Sequence, residues 1–354
     1  MATKMQMADM RFVDGYGPDT QKVAVLEKPF HMSIRRAEIP IPAEDEVRIR
    51  IKWVGICGSD LEAYRGTRAP EFITTPARLG HEVSGVIDMV GEKVKGLRVG
   101  AHVACRYVWG AFAQYIVCKP FNVIALPDDF PMLDISPIEV LPGILHAAEL
   151  GQIQQAKNVL IMGQGVSGLI MTQVVHLFSP KCLAVTDLSE TKLALARKYG
   201  ATHTYLLPDK NARTMDYAGK DFPDGFDVVI PCLLEGNGIV DAIDAAAMCA
   251  RVVMYGCIGV CNTPVDFFKA HRKRLEFYFT EPRRDIDMRR FFDEGVRLVT
   301  EGLVNTSEMI THTFPLDEID EAFRLRNAQQ KDVIHIVIDC EENRSVRANE
   351  DYRF

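Results

Sequence analysis

Cys57-Gly58-Ser59-Asp60 and, further along, Gly80-His81-Glu82 place a thiol, an imidazole and carboxylates in two short turns. Zinc takes thiolate sulfur, imidazole nitrogen and carboxylate oxygen. A catalytic zinc site commonly uses three protein ligands and keeps one position open for water or substrate. Cys57 and His81 fit that description. In a chain with nine cysteines and nine histidines an isolated pair would say little, because free cysteine is often plain core. The local wording gives the pair its weight. The strand-like run Glu46 to Val54 leads into Cys57, and another, Val83 to Val90, follows His81 and Glu82. Both candidate ligands therefore fall at strand ends or turns, where side chains converge on a cleft.

A second constellation lies further on. Asn158-Val159-Leu160-Ile161-Met162 reads as a short apolar strand, Gly163-Gln164-Gly165-Val166-Ser167-Gly168 follows at once, and Leu169 to Phe178 has the length and apolar content of a helix. Asp187 ends the next strand, Cys182 to Thr186, about 20 positions on. Strand, glycine turn, helix and acid in that order form the dinucleotide fingerprint. The glycines let the backbone approach a pyrophosphate, which rests on the positive end of the helix. Asp187 then accepts hydrogen bonds from the ribose hydroxyls and repels a 2′-phosphate, favouring NAD over NADP. Strands are also expected at Phe226 to Ile230, Arg251 to Tyr255 and Leu275 to Phe279, the first two separated by a helical run from Gly238 to Ala250. That alternation predicts an α/β, doubly wound parallel sheet.

With these motifs the chain resembles the zinc-containing medium-chain alcohol and polyol dehydrogenases, from Lys22-Val23-Ala24-Val25-Leu26 to about Ile338. The resemblance implies a Rossmann cofactor domain inserted in a mostly β, GroES-like catalytic domain. The expected limits are 1–142 and 284–354 for the catalytic domain and 143–283 for the cofactor domain. In that family the cysteine of Gly-Ile-Cys-Gly-Ser-Asp and the histidine of Gly-His-Glu bind the catalytic metal, which carries over to Cys57 and His81. Ile138-Glu139-Val140-Leu141-Pro142, with Leu145-His146-Ala147 after it, matches a third ligand position at Glu139, although Val140 replaces the usual proline. Glu82 either binds directly, as in polyol-type relatives, or stands behind the metal. The resemblance gives Ser59 the first transfer of the substrate proton and Asp60 the ordering of the loop by hydrogen bonds. Glu62 stands where many relatives have a histidine, and it is either a proton relay or solvated surface.

On the cofactor side the resemblance adds Lys192, which either helps hold the ribose or is a solvated helix lysine. It also adds Gly256 and Cys257, in the loop that meets the nicotinamide. Many relatives carry a lobe of four cysteines for a structural zinc. Here only Ala104 to Trp109 stand in its place, with Cys105 alone, so one catalytic zinc and no structural zinc is expected. A zinc site with Glu139 and Glu82 resembles that of polyol and sugar dehydrogenases more than that of simple alcohol dehydrogenases, and this resemblance implies a polyhydroxylated small molecule, such as a sugar alcohol, sugar acid or cyclitol, oxidised at a secondary hydroxyl with NAD. Tyr64, Trp109 and Phe112 are candidates for the pocket wall. A homodimer or homotetramer is the expected assembly.

Length and composition agree. The chain has 354 residues, 47% hydrophobic and 25% charged, enough for two cores and unlike a disordered chain. A net charge of −7 gives no reason to expect nucleic acid or an anionic membrane as partner. Nine scattered cysteines without framework spacing suit a reducing compartment, and residues 1–20 lack the apolar run of a signal peptide, so a cytoplasmic protein is expected. Three alternatives stay open: a zinc-free enone or quinone reductase of the same fold, a simple aliphatic alcohol dehydrogenase, and a non-catalytic nucleotide-binding protein.

Overall fold

Apolar residues alternate with polar ones early in the chain, and that stretch folds as strands. The computed structural model describes residues 11–15, 17–68, 72–153, 158–233, 237–256, 263–280 and 285–341. Thr20–Lys28 (β1) and His31–Glu38 (β2) pair antiparallel, and Val47–Gly55 (β3) follows. Along β3, Val47, Ile49 and Ile51 are fully buried while Arg48 and Arg50 alternate on the other face, the period of two that a one-sided sheet requires. The short helix Gly58–Arg65 (α1) ends at Gly66, whose φ of 71° is left-handed backbone that glycine adopts without a steric penalty. Glu82–Val90 (β4), His102–Cys105 (β5), Tyr115–Cys118 (β6), Val123–Ala125 (β7) and the turn of helix Met132–Ile135 (α2) complete this part. Arg48 reaches across to Asp88 of β4 at 2.9 Å on the outer face.

Helices and strands then alternate. Leu141–Gly151 (α3) is followed by Asn158–Met162 (β8), Val166–Leu177 (α4), Cys182–Asp187 (β9), Glu190–Lys198 (α5), His203–Leu206 (β10) and Thr214–Ala218 (α6). Next come Phe226–Pro231 (β11), Gly238–Ala245 (α7), Ala246–Met254 (β12), Phe267–Lys273 (α8), Glu276–Phe279 (β13) and Asp285–Thr300 (α9). The strands pair in parallel in the order β10-β9-β8-β11-β12-β13. Numbered by occurrence this is 3-2-1-4-5-6, the order of a dinucleotide-binding sheet. β8 and β9 are nearly continuous buried runs, as strands covered on both faces must be.

The chain then returns to the first sheet with Ile310–Pro315 (β14), Ile319–Asn327 (α10) and His335–Asp339 (β15). That sheet runs β14-β15-β3-β4-β5-β7, with β6 also paired to β3, so strands from both ends of the sequence share one core. Tyr64 and Phe112 both pack on Phe323 there, with ring centroids 5.0 and 5.7 Å apart.

Two boundaries differ from the sequence reading. The chain divides into Met1–Glu139 with Thr306–Phe354 and Val140–Asn305, so the inserted unit ends near 305 instead of 283. Helix α9 is the reason: a Cβ added to Gly295 would lie 2.8 Å from Leu141 Cβ, and Phe291 packs 5.5 Å from the His146 ring, both on α3. The helical run expected to reach Ala250 also stops early. Ala246 is already extended at ψ 136° and pairs with Phe226, overriding the helix preference of the alanines. Among the described residues no helix is long and apolar enough to cross a membrane.

Candidate functional site

Cys57 follows β3 and caps the start of α1, while His81 immediately precedes β4 and Glu82 opens it. Asp60, wholly buried, fastens the two turns together: its Oδ2 accepts from Cys57 N–H and its Oδ1 from Gly80 N–H, each at 3.1 Å. Gly80 has a φ of 93°, and a Cβ there would press on Phe112 N at 2.8 Å, so this turn admits only glycine. One ligand atom each from Cys57, His81 and Glu82 then lies within 4.8 Å of the others.

The electrostatics of this cluster are those of a metal site. Burial pushes the Cys57 thiol up, and Glu82 beside it adds to that against the opposing pull of His81. Burial works against a charged His81, but Asp60 and Cys57 outweigh it and hold the imidazole well above its usual range. Burial also opposes ionisation of Glu82, yet His335 and His81 hold its carboxyl below the ordinary value. His81 Nδ1, 3.6 Å from Asp60 Oδ1, and Glu82 Oε2 are buried without a hydrogen-bond partner. Buried polar atoms are nearly always satisfied, so two orphans beside a thiol fit a divalent cation of borderline softness. A metal needs the thiolate and the neutral imidazole, whereas the raised values of Cys57 and His81 both favour protonated forms in the metal-free protein. Zinc titrated into metal-free protein is therefore expected to release protons, and its affinity to rise with pH until those groups ionise unaided. Indicator dye in weak buffer reads the release, and uptake without it would contradict this arrangement.

Glu139 is not a member of the three-residue group. Its carboxylate meets Arg106 Nη1 at 3.1 Å, and the same guanidinium donates to the Glu139 carbonyl. Burial pushes the Glu139 carboxyl up, with Arg106 opposing. Ser59, buried, and Glu62, half-buried, sit on α1, and Glu62 faces Arg68 at 3.4 Å. Trp109 lies against the site, its ring 4.5 Å from that of His81. Tyr64 and Phe112, expected at the pocket wall, belong to the core, where they pack around Phe323.

Sequence reading missed Arg106 and His335. His335 Nε2 is 3.2 Å from Glu82 Oε2, near enough to pair though turned out of hydrogen-bond alignment. Its one signal was a histidine in the apolar strand Ile334-His335-Ile336-Val337-Ile338.

At the other unit, Gly163 leaves β8 with a φ of 89° and Gly165 precedes the first turn of α4. A Cβ on Gly165 would meet nothing within 4 Å, whereas one on Gly168 would overlap the Gly163 carbonyl. Val166 and Ser167 form the helix start with Gly168, and Ser167 Oγ accepts from Tyr255 Oη at 3.4 Å. Asp187 ties the neighbouring strand end to this turn: Oδ2 accepts from Gln164 N–H at 2.6 Å and Oδ1 from Ser189 N–H at 2.9 Å. Lys192 lies half-buried in the first turns of α5, its N–H donating to Ser189 Oγ. Gly256 N–H donates to Pro231 O at 3.1 Å, which fixes the exit of β12 beside the end of β11. Cys257 lies outside the described residues.

Residues 43–128 match the alcohol dehydrogenase GroES-like domain, and residues 199–331 match the zinc-binding dehydrogenase domain. The chain is 31% identical over 346 residues to galactitol 1-phosphate 5-dehydrogenase of Escherichia coli K12, across 86% of this chain and 96% of that one. It is 28% identical over 339 residues to D-xylulose reductase of Saccharomyces cerevisiae, across 86% and 93%. A solved structure of an alcohol dehydrogenase from Escherichia coli CFT073, complexed with NADH, aligns at a TM-score of 0.79 and 25% identity over 91% of this chain and 99% of that one.

Proposed function

Since this chain belongs to the zinc-type medium-chain alcohol and polyol dehydrogenase family, we propose that it interconverts a secondary hydroxyl and a ketone on a polyhydroxylated substrate, with NAD as the redox partner. The observation that carries the reading is the grouping of Cys57, His81 and Glu82, a sulfur, nitrogen and carboxylate set suited to zinc. When bound, zinc supplies Lewis acidity that eases loss of a hydroxyl proton, and NAD supplies the hydride acceptor. Cys57, His81 and Glu82 would hold the metal, and Glu139, steadied by Arg106 and near enough to feel the charges of His81 and Glu82, would supply a further carboxylate.

Asp60 sets the spacing of the two ligand turns through its two backbone hydrogen bonds. Ser59 and Glu62 stand one turn apart on α1 and so share a face of the helix. The Ser59 hydroxyl both accepts and donates, and hands the substrate proton towards Glu62. In the other unit, Gly163, Gly165 and Gly168 shape the pyrophosphate cradle at the start of α4. The Asp187 oxygens each accept one backbone N–H and keep lone pairs for the ribose hydroxyls, while their charge rejects a 2′-phosphate. A polyhydroxylated substrate is supported by the carboxylates around the metal set and by the two relatives named for galactitol 1-phosphate and D-xylulose.

Metal analysis and a panel of polyols, cyclitols, sugar acids and simple alcohols, followed as NADH with NAD or NADP, test the reading together. Expected are about one zinc per chain, activity lost to o-phenanthroline and restored by zinc, and NAD-linked oxidation of a polyol. Asp187→Ala is expected to weaken NAD about 10- to 100-fold and to narrow the preference over NADP, from the loss of hydrogen bonds to a charged group. Preference for ethanol or 2-butanol over every polyol would sink the substrate class. Metal-independent reduction of enones would sink the reaction.

A further inference from the structure

β3 is the middle one of three neighbouring strands. β15 runs antiparallel on one side with Val337 opposite Gly55, and β4 runs antiparallel on the other with Glu82 opposite Gly55. A side chain at Gly55 would stand between the two outer strands. A Cβ built there would overlap Glu82 Oε2 and lie 2.5 Å from His335 Nε2. The Gly55 backbone is not in the left-handed region, so any L-residue could adopt it, and the demand for glycine is one of space. Through that gap His335 and Glu82, each 2% exposed, meet at 3.2 Å. Thr311 Oγ1 donates to the His335 carbonyl at 3.1 Å and fixes the strand from which the imidazole projects.

We propose that His335 is the positioning residue for Glu82: across the opening left by Gly55, its imidazole holds the carboxylate in the orientation that faces Cys57 and His81. This rests on the reading that Cys57, His81 and Glu82 hold zinc. A carboxylate buried this deeply is costly unless something compensates its charge. His335, on β15 and 3.2 Å from Glu82 Oε2, compensates it and thereby limits the rotamers open to Glu82. Partners that orient metal ligands from behind typically change metal affinity 10- to 100-fold when removed. The C-terminal return strand β15 is thus part of the metal site, although it carries no member of the ligand group.

The test measures zinc affinity by competition with a chromophoric chelator, and the visible spectrum of the cobalt-substituted protein, which reports the geometry and identity of the ligands. His335→Ala and His335→Leu are expected to weaken zinc about 10- to 100-fold and to shift the cobalt bands. His335→Gln, which keeps an N–H donor, recovers most of the affinity. Gly55→Ala, which keeps both side chains but closes the opening between them, reproduces the loss. In a Glu82→Gln background, removal of His335 costs no further affinity, because the two act as one unit. Folded His335 variants with parental zinc affinity and cobalt spectrum overturn the proposal. So does an undiminished His335 effect in the Glu82→Gln background, which would make its role one of general packing. Parental zinc affinity in Glu82→Gln alone would instead refute the ligand assignment beneath it.

Discussion

Cys57→Ser and His81→Ala are each expected to yield protein with little bound zinc and with kcat/KM lowered by at least about a thousandfold, since Lewis acidity contributes several kcal/mol to such a transition state. The affected atoms lie in one unit, Met1–Glu139 with Thr306–Phe354, and the dinucleotide turn lies in the other. NADH affinity, read from its fluorescence, should therefore stay within about twofold of the parent, since sites without shared partners behave additively. Thermal unfolding provides an independent reading. A ligand that binds the native state stabilises it by RT ln(1 + [L]/Kd), so added zinc should raise the parent's midpoint and leave that of the variants unmoved. Cys57→Ser is nearly isosteric, and its metal-free stability should match that of the metal-free parent. A variant with full activity and no zinc would end the assignment. Loss of NADH binding with zinc retained would point to a folding defect instead.

How much of this was legible in the sequence depended on sequence separation. Cys57 and His81 could be read because each sits in a short turn next to its own strand, where local wording carries the information. The role of Asp60 was visible for the same reason: its acceptors reach Cys57 N–H within one turn, and its distant partners, Gly80 N–H and His81, belong to the neighbouring ligand turn. The nucleotide fingerprint was also local, and its distant member Asp187 comes back to Gln164 N–H because adjacent parallel strands bring their carboxyl ends together. His335 and Arg106 were not legible. His335 meets Glu82 only after an entire inserted unit has been threaded through the chain, and no spacing rule links them. Arg106 required knowing that a shortened loop would turn its guanidinium onto Glu139. Tyr64 and Phe112 failed for a different reason. An aromatic residue near a cleft and one in a core look alike in one dimension, and Phe323, which draws both inward, comes from the far end of the sequence.

Gly168→Ala and Gly165→Ala separate the structural task of the dinucleotide turn from its binding task. At Gly168 a Cβ would overlap the Gly163 carbonyl and lie 2.9 Å from its carbon, with backbone on both sides of the contact. Thr172 Oγ1 clamps this region: it lies 2.9 Å from both Gly168 O and Gln164 Oε1, which share its one hydrogen, so the first turn of α4 cannot slide aside without disturbing that contact. Overpacking of this kind costs about 1–3 kcal/mol. The unfolding midpoint should fall by about 2–12 °C, at about 2–4 °C per kcal/mol for a unit of this size. NADH should weaken at least about 30-fold, because the displaced turn no longer presents its N–H groups to a pyrophosphate. At Gly165 the same methyl group meets no protein atom within 4 Å, and the φ of −75° suits alanine, so stability should not change. The methyl would project instead into the space that a pyrophosphate must approach closely. Gly165→Ala is therefore expected to lose NADH affinity about as severely as Gly168→Ala while keeping the parental midpoint and zinc content. If Gly165→Ala bound NADH like the parent, the open face of this turn would not be where the phosphates rest. The fingerprint would then be a packing device, and the cofactor would have to be sought elsewhere on the unit.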